Sequence, residues 1–249
     1  MSPSIHSAPL PGKPREYRFP AVDRRALPSG TRVIVAPLAK VPLVTMAAVF
    51  HAAGATRDPA GRDGLAQITA SMLLEGTASC DGAAVADLFE SLGSSLSATT
   101  DWDATTLSFT VQPARLDAAV AMLREVLHAP AFSGRELARL QAEHRADRLQ
   151  VAADPGGLAD AALMWSCYGD RSRYRRPIDG TIASVESITR DDLVAFWQAQ
   201  YSAGALTVVL AGDVSADRAA AIANALAMGL ASAALLGPDV SVAPRHAGR

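Results

Sequence analysis

The side chains able to do chemistry in this 249-residue chain are sparse and seldom grouped. The densest set is Glu143, His144 and Asp147, within GRELARLQAEHRADRLQV. Two carboxylates and an imidazole on adjacent turns of a helix are ligands of the kind a divalent cation takes. Arg139, Arg145 and Arg148 are interleaved with them, however, and acids and bases three or four apart more often pair on a solvated helix face. Ser71 is a candidate nucleophile only in isolation: no G-x-S-x-G elbow surrounds it and no His–carboxylate pair is readable nearby. It reads as a helix-surface serine. His51 closes an apolar run, and His6, His128 and His246 have no spaced partner, so structural roles are expected. The run Arg171 to Arg176, RSRYRR, suits an acidic partner but reads as a solvated loop. Cys80 and Cys167 are the only thiols; they can pair, but they make no disulfide framework and belong to no C-x-x-C metal pattern.

These residues must be positioned by a chain that can bury a large core, with 49% hydrophobic residues and a formal charge of −2. That charge gives no electrostatic reason to expect nucleic acid. Residues 1–16 are rich in proline and small side chains and read as a flexible lead-in; they lack the apolar core of an export signal, so a cytoplasmic location is the default. Ala219 to Gly237 is long and uncharged, but its alanines contribute little transfer free energy, so a packed helix is expected and not a membrane span. Arg24 to Leu27 and Thr31 to Ala36 flank a Pro-Ser-Gly turn and read as a hairpin. Leu43 to His51 reads as a buried strand. In LAQITASMLLEGT, Leu65, Ile68, Met72 and Leu73 recur at helical spacing as one buried stripe, and Gly76 ends the helix. Asp81 caps a helix to Ser91. Ser94 to Thr100 and Ala104 to Gln112 alternate about Asp101-Trp102-Asp103 as a second hairpin. Helices follow over Leu116 to His128, Gly134 to Val151 and Pro155 to Tyr168. Thr189 caps another, Ala205 to Ala211 is a strand, and Ser215 caps the last helix. Irregular alternation with two hairpins implies an α+β fold: two layers, an antiparallel sheet backed by helices.

The ordered blocks LPSGTRVIV, PLVTMAAVFHAAGATRDPAGRDGLA, MLLEGT, LGSSLSATTDWDATTLSFTVQ, DPGGLADAALMWSCYGD and ITRDDLVAFWQAQYSAGALTVVLAGDV resemble the N-terminal domain of the M16 zinc peptidases. Pitrilysin, insulin-degrading enzyme and the mitochondrial processing peptidase belong to that family. The resemblance implies the LuxS/mitochondrial-processing-peptidase-like metallohydrolase fold over residues 17–229. Residues 230–249 are then a linker-like tail, ahead of a second family domain for which the sequence offers no counterpart.

In the family the helix between G-L-A and M-L-x-x-G-T carries H-x-x-E-H. Two imidazoles at i and i+4 share a helix face and bind Zn²⁺, the glutamate acts on the metal-bound water, and a downstream carboxylate is the third ligand. Here Gln67 and Ser71 stand at the histidine positions, Ala70 at the glutamate and Asp147 at the downstream ligand. An amide and a hydroxyl are poor substitutes for imidazoles on zinc, and a methyl accepts no proton. The resemblance therefore implies no catalytic residue, no metal ligand set and no cofactor. It implies a non-catalytic subunit that builds the chamber or interface of a zinc-bearing M16 partner, a heterodimer acting on unfolded peptides, with no membrane involved. In the family an exposed strand near the site extends bound peptide, which singles out Ser95, Ser97 and Thr99 as peptide contacts. The alternatives are a divergent metallopeptidase using Asp147 and Glu143, and a structural or binding module of a larger assembly.

Overall fold

The computed structural model describes residues 12, 19–170 and 172–230. The lead-in and the tail anticipated at the two ends fall almost wholly outside them.

In chain order the strands and α-helices are β1 (Asp23–Ala26), β2 (Arg32–Pro37), β3 (Val44–Phe50), α1 (Leu65–Leu74), α2 (Gly82–Ser91), β4 (Ser97–Thr100), β5 (Thr105–Val111), α3 (Leu116–His128), α4 (Gly134–Ala152), α5 (Pro155–Cys167), α6 (Ile182–Glu186), α7 (Arg190–Gln200), β6 (Leu206–Gly212) and α8 (Ala216–Ala227). The strands form one sheet in the order β1-β2-β6-β3-β5-β4. The expected hairpins are present, with Asp23 opposite Val35 and Thr100 opposite Thr105.

The sheet is mixed, which corrects the antiparallel expectation: β2 and β6 are parallel, with Val33 opposite Val208. The cause is topological. β6 inserts between β2 and β3 and runs antiparallel to β3, with Met46 opposite Leu210. A strand placed between two that run in opposite directions must be parallel to one of them.

Alternation sorts the sheet into two faces. Val33, Val35, Met46, Ala48, Phe50, Leu107, Phe109, Val208 and Leu210 are buried on one face. Helices cover this face with Leu65, Met72, Phe89, Leu123, Leu193, Phe196 and Leu226, all buried in the same core. The opposite face carries Arg32, Ile34, Thr45, Ala47, Val49, Thr106, Ser108 and Val209, exposed or half-buried.

Local chemistry sets the helix ends. Asp81, Thr189 and Ser215 accept hydrogen bonds from Ala84, Asp192 and Arg218 N–H at the starts of α2, α7 and α8, as expected of N-caps. α6, not anticipated from the sequence, starts with a capping box formed by Thr181 and Ser184. The alanine-rich terminal helix packs Ala219, Ile222, Ala223 and Leu226 and ends at Ala227; most of the remaining stretch to Gly237 lies outside the described residues. No helix among the described residues is long and apolar enough to cross a membrane. Cys80 and Cys167 are both free thiols.

Candidate functional site: helix α1 and the adjoining sheet edge

Helix α1 is anchored by a carboxylate six residues before its cap. Asp58 is 2% exposed, and its two oxygens accept from the Gly64 and Ala66 N–H groups, each at 2.8 Å. Burial pushes its pKa up to about 7, against the opposing pull of those two N–H groups. Gly64 has φ 96°, and a Cβ there would lie 2.6 Å from the Asp179 carbonyl oxygen. Only glycine admits both the left-handed turn and that approach.

The expected stripe is in place: Leu65, Ile68, Met72 and Leu73 are all buried. Gln67 and Ser71, one turn apart, are half-buried on the other side of α1. Ala70 is 1% exposed and Thr69 is buried, its hydroxyl donating to the Leu65 carbonyl at 2.7 Å. A carboxylate at position 70 would therefore sit in a nearly dry environment, where only a close cation offsets its desolvation.

Helix α4 runs antiparallel beside α1. At one end Arg139 bridges to Glu75 at 2.5 Å, just past the C-terminus of α1. At the other, Arg148 reaches Asp179, whose carbonyl packs on Gly64. Glu143 pairs with Arg139 at 2.6 Å, the i,i+4 pairing expected from the sequence, and Asp147 is exposed. His144 is half-buried, and desolvation lowers its pKa. Among the described residues no group of three or more His, Cys, Asp or Glu is placed to hold a metal ion. A neutral amide, a hydroxyl, a methyl and an exposed aspartate do not fit Zn²⁺, which takes three or four thiolate, imidazole or carboxylate ligands.

Strand β4 is the outermost strand beyond β5 and lies alongside α1. Ser97 and Thr99 point to its exposed side, and the Ser97 hydroxyl meets the Ser108 hydroxyl across the pair at 3.0 Å. Ser95 is exposed but precedes the strand, which begins at Ser97 and not Ser94. The helix before it takes up the difference. Gly93, at φ 72°, donates to Glu90 O at 2.8 Å and Ser94 to Phe89 O at 2.9 Å. This is a Schellman closure that commits Ser94 to the end of α2.

The RSRYRR segment departs from the solvated-loop expectation; its first residue, Arg171, lies outside the described residues. Arg173–Arg175 form a 3-10 turn. Arg176 pairs with Asp63 at 2.8 Å, the Tyr174 hydroxyl donates to Asp103 at 2.7 Å, and the Arg175 guanidinium, ion-paired with Asp170, lies 4.0 Å from the Trp165 ring centre. Asp63 and Asp103, distant in sequence, together with the nearer Asp170 and Trp165, partner these half-buried side chains. Arg175 and Arg176, with Trp102, Trp165, Arg148 and Asp63, line a cavity of about 720 Å³ beside the α1 N-terminus. Two of the isolated histidines also find partners, while His6 and His246 lie outside the described residues. His51 Nε2 lies 2.8 Å from Thr207 Oγ1, and His128 Nε2 lies 2.8 Å from the Leu226 carbonyl.

Comparison with known proteins agrees with this geometry. The family described as Insulinase (Peptidase family M16) matches residues 33–164, more than half of the chain. Among curated relatives, the non-peptidase homolog YmxG of Helicobacter pylori is 28% identical over 155 residues, 62% of this chain and 36% of that protein. An uncharacterized zinc protease of Streptomyces coelicolor is 23% identical over 203 residues, 82% of this chain and 44% of that one. The chain thus spans less than half the length of these relatives. Among solved structures, a peptidase M16 inactive domain from Pseudomonas fluorescens superposes with a TM-score of 0.82 at 30% identity, covering 88% of this chain and 53% of that one. Pitrilysin superposes with a TM-score of 0.76 at 18% identity, covering 89% of this chain and 24% of that one, and shares the fold. From the matched profile, the α1 frame and the mixed six-stranded sheet together, the chain belongs to the M16 family of peptidases.

Proposed function

We propose that this chain is a non-catalytic, metal-free M16 subunit that helps to build the peptide-enclosing chamber of a zinc-bearing partner. The observation that carries the proposal is the donor set on α1: Gln67, Ala70 and Ser71 stand where two imidazoles and a carboxylate are required, and Ala70 is buried. The named similarities to a non-peptidase homolog and to an inactive domain support it. So does the sheet face that no described helix covers. Its threonines, serines and alanines suit a wall that lets an unfolded peptide slide past, because they offer neither a large apolar patch nor a dense charge. Edge strand β4 supplies free backbone groups for an extended peptide, with Ser97 and Thr99 beside it and Ser95 just ahead; backbone pairing needs no metal.

The test has two parts. Zinc measured by mass spectrometry on purified protein is expected far below one ion per chain, and the isolated chain is expected not to cleave a quenched fluorescent peptide. Peptidase activity is expected only with an M16 subunit bearing intact H-x-x-E-H, recovered by co-purification from the source cells. Stoichiometric zinc, or cleavage by the chain alone that a chelator stops, overturns the proposal. A partner that binds without any change in turnover reassigns the chain as a structural module.

A further inference from the structure

The uncovered sheet face ends, on the side away from β4, in a basic cleft. Arg24 of β1 and Arg32 of β2 lie on that face: Arg24 is opposite Ile34, and Arg32 is opposite Ala26. They are diagonal neighbours across the pair, about 7–8 Å apart at the backbone. Arg32 is also opposite Thr207 of β6, whose hydroxyl meets His51 Nε2 at 2.8 Å. Together with Ala26, Val33, Ile34 and Arg25, these residues line a cleft of about 490 Å³.

The charges in the cleft are unequal in kind. Arg25 is committed to Asp217 at 2.8 Å and Asp23 at 3.1 Å. Arg24 and Arg32 form no ion pair with any described residue, so two guanidinium forks face solvent over an apolar floor. Burial first, and then Arg32, lower the pKa of His51 against a smaller opposing pull from Asp101, which favours the neutral imidazole. Paired guanidinium forks over apolar side chains match a planar carboxylate on an aliphatic stem.

We infer that the Arg24–Arg32–His51 cleft is a carboxylate subsite, which holds a glutamate side chain or the C-terminal carboxylate of a peptide lying across the uncovered sheet face. This rests on the peptide-chamber reading above and adds a preference to it, for acidic over basic segments.

The test uses the full chain and fluorescein-labelled peptides of one sequence carrying Glu, Gln or Lys at matched positions, each with a free or an amidated C-terminus. Anisotropy titrations at low salt are expected to rank Glu above Gln by about tenfold, with Lys weakest. If amidation abolishes binding, the terminal carboxylate is the ligand; if the Glu preference survives amidation, the side chain is. Arg24→Gln with Arg32→Gln is expected to erase the preference with an unchanged circular dichroism spectrum, and Arg32→Lys to restore part of it. Equal affinity for Glu and Gln peptides together with no loss on amidation, no binding by any peptide, or a preference that survives the double substitution overturns the inference. None of these readouts involves zinc or turnover, so their failure is separable from failure of the non-catalytic assignment.

Discussion

At the scale of single residues, the side chain that most constrains the site is Asp58, which holds the start of α1 from outside the helix. Its carboxyl retains its proton to about pH 7 in the folded chain, because burial outweighs the two N–H groups it accepts from. In the unfolded chain an aspartate loses its proton near pH 4. Between those values the native state binds the extra proton, so the Asp58 contribution to stability is complete below about pH 4 and declines as pH rises toward 7. The steepest decline approaches about 1.4 kcal/mol per pH unit. An asparagine side chain in its place would carry no charge at any pH and would accept at one oxygen only, leaving one N–H of the Gly64–Ala66 turn unmatched. Asp58→Asn is thus expected to cost about 1–3 kcal/mol at acid pH. That deficit should shrink as pH approaches 7, read as urea midpoints across a pH series. A deficit independent of pH would mean that the two N–H groups keep Asp58 ionised throughout.

At the scale of elements, local signals were legible and distant ones were not. Asp81, Thr189 and Ser215 announce their helices because an N-cap acts within three residues. The α1 stripe is legible because 3.6-residue periodicity needs only one helix to be read. Asp58 escapes the same reading, since its bonds span six and eight residues and follow no capping spacing. The parallel β2–β6 pairing joins Val33 to Val208, a separation no local pattern encodes. The early start assigned to β4 misses Gly93, whose left-handed turn diverts Ser94 into the end of α2. The Arg173–Arg176 segment misled for a related reason: its partners Asp63, Asp103 and Trp165 are supplied by the fold. Within the candidate site, the amide, methyl and hydroxyl of Gln67, Ala70 and Ser71 were legible residue by residue, while the burial of Ala70 required the packed core. The outer edge of β4 yields an element-scale prediction. If peptide adds there, saturating an extended peptide onto the chain should slow amide hydrogen exchange at alternate positions of Ser97–Thr100. Amides of β3, already paired on both sides, should not change. Unchanged exchange in β4 with the peptide bound elsewhere would remove the edge from the peptide site.

At the scale of the whole molecule, the described residues form a sheet with one face covered by helices and one that no described helix covers, and the division runs through adjacent residues. Ala48 is 0% exposed beneath the helices, opposite Leu107 and Val208. Ala47, next to it on β3, faces the other way, opposite Ser108 and Val209, and is half-buried. A helix layer over both faces would make the two alanines equivalent, and each would refuse a larger side chain. With one layer, Ala48→Leu must displace close-packed atoms and is expected to destabilise by about 1–3 kcal/mol. Ala47→Leu meets open space and is expected to change stability by less than about 0.5 kcal/mol. Urea unfolding of the two variants, made one residue apart on the same strand, measures the difference directly. The same Ala47→Leu substitution narrows the wall along which a peptide would lie, so it should weaken peptide binding while leaving the fold intact. Equal destabilisation by both variants would mean that the second face is covered in the isolated chain, and a covered face can line no chamber.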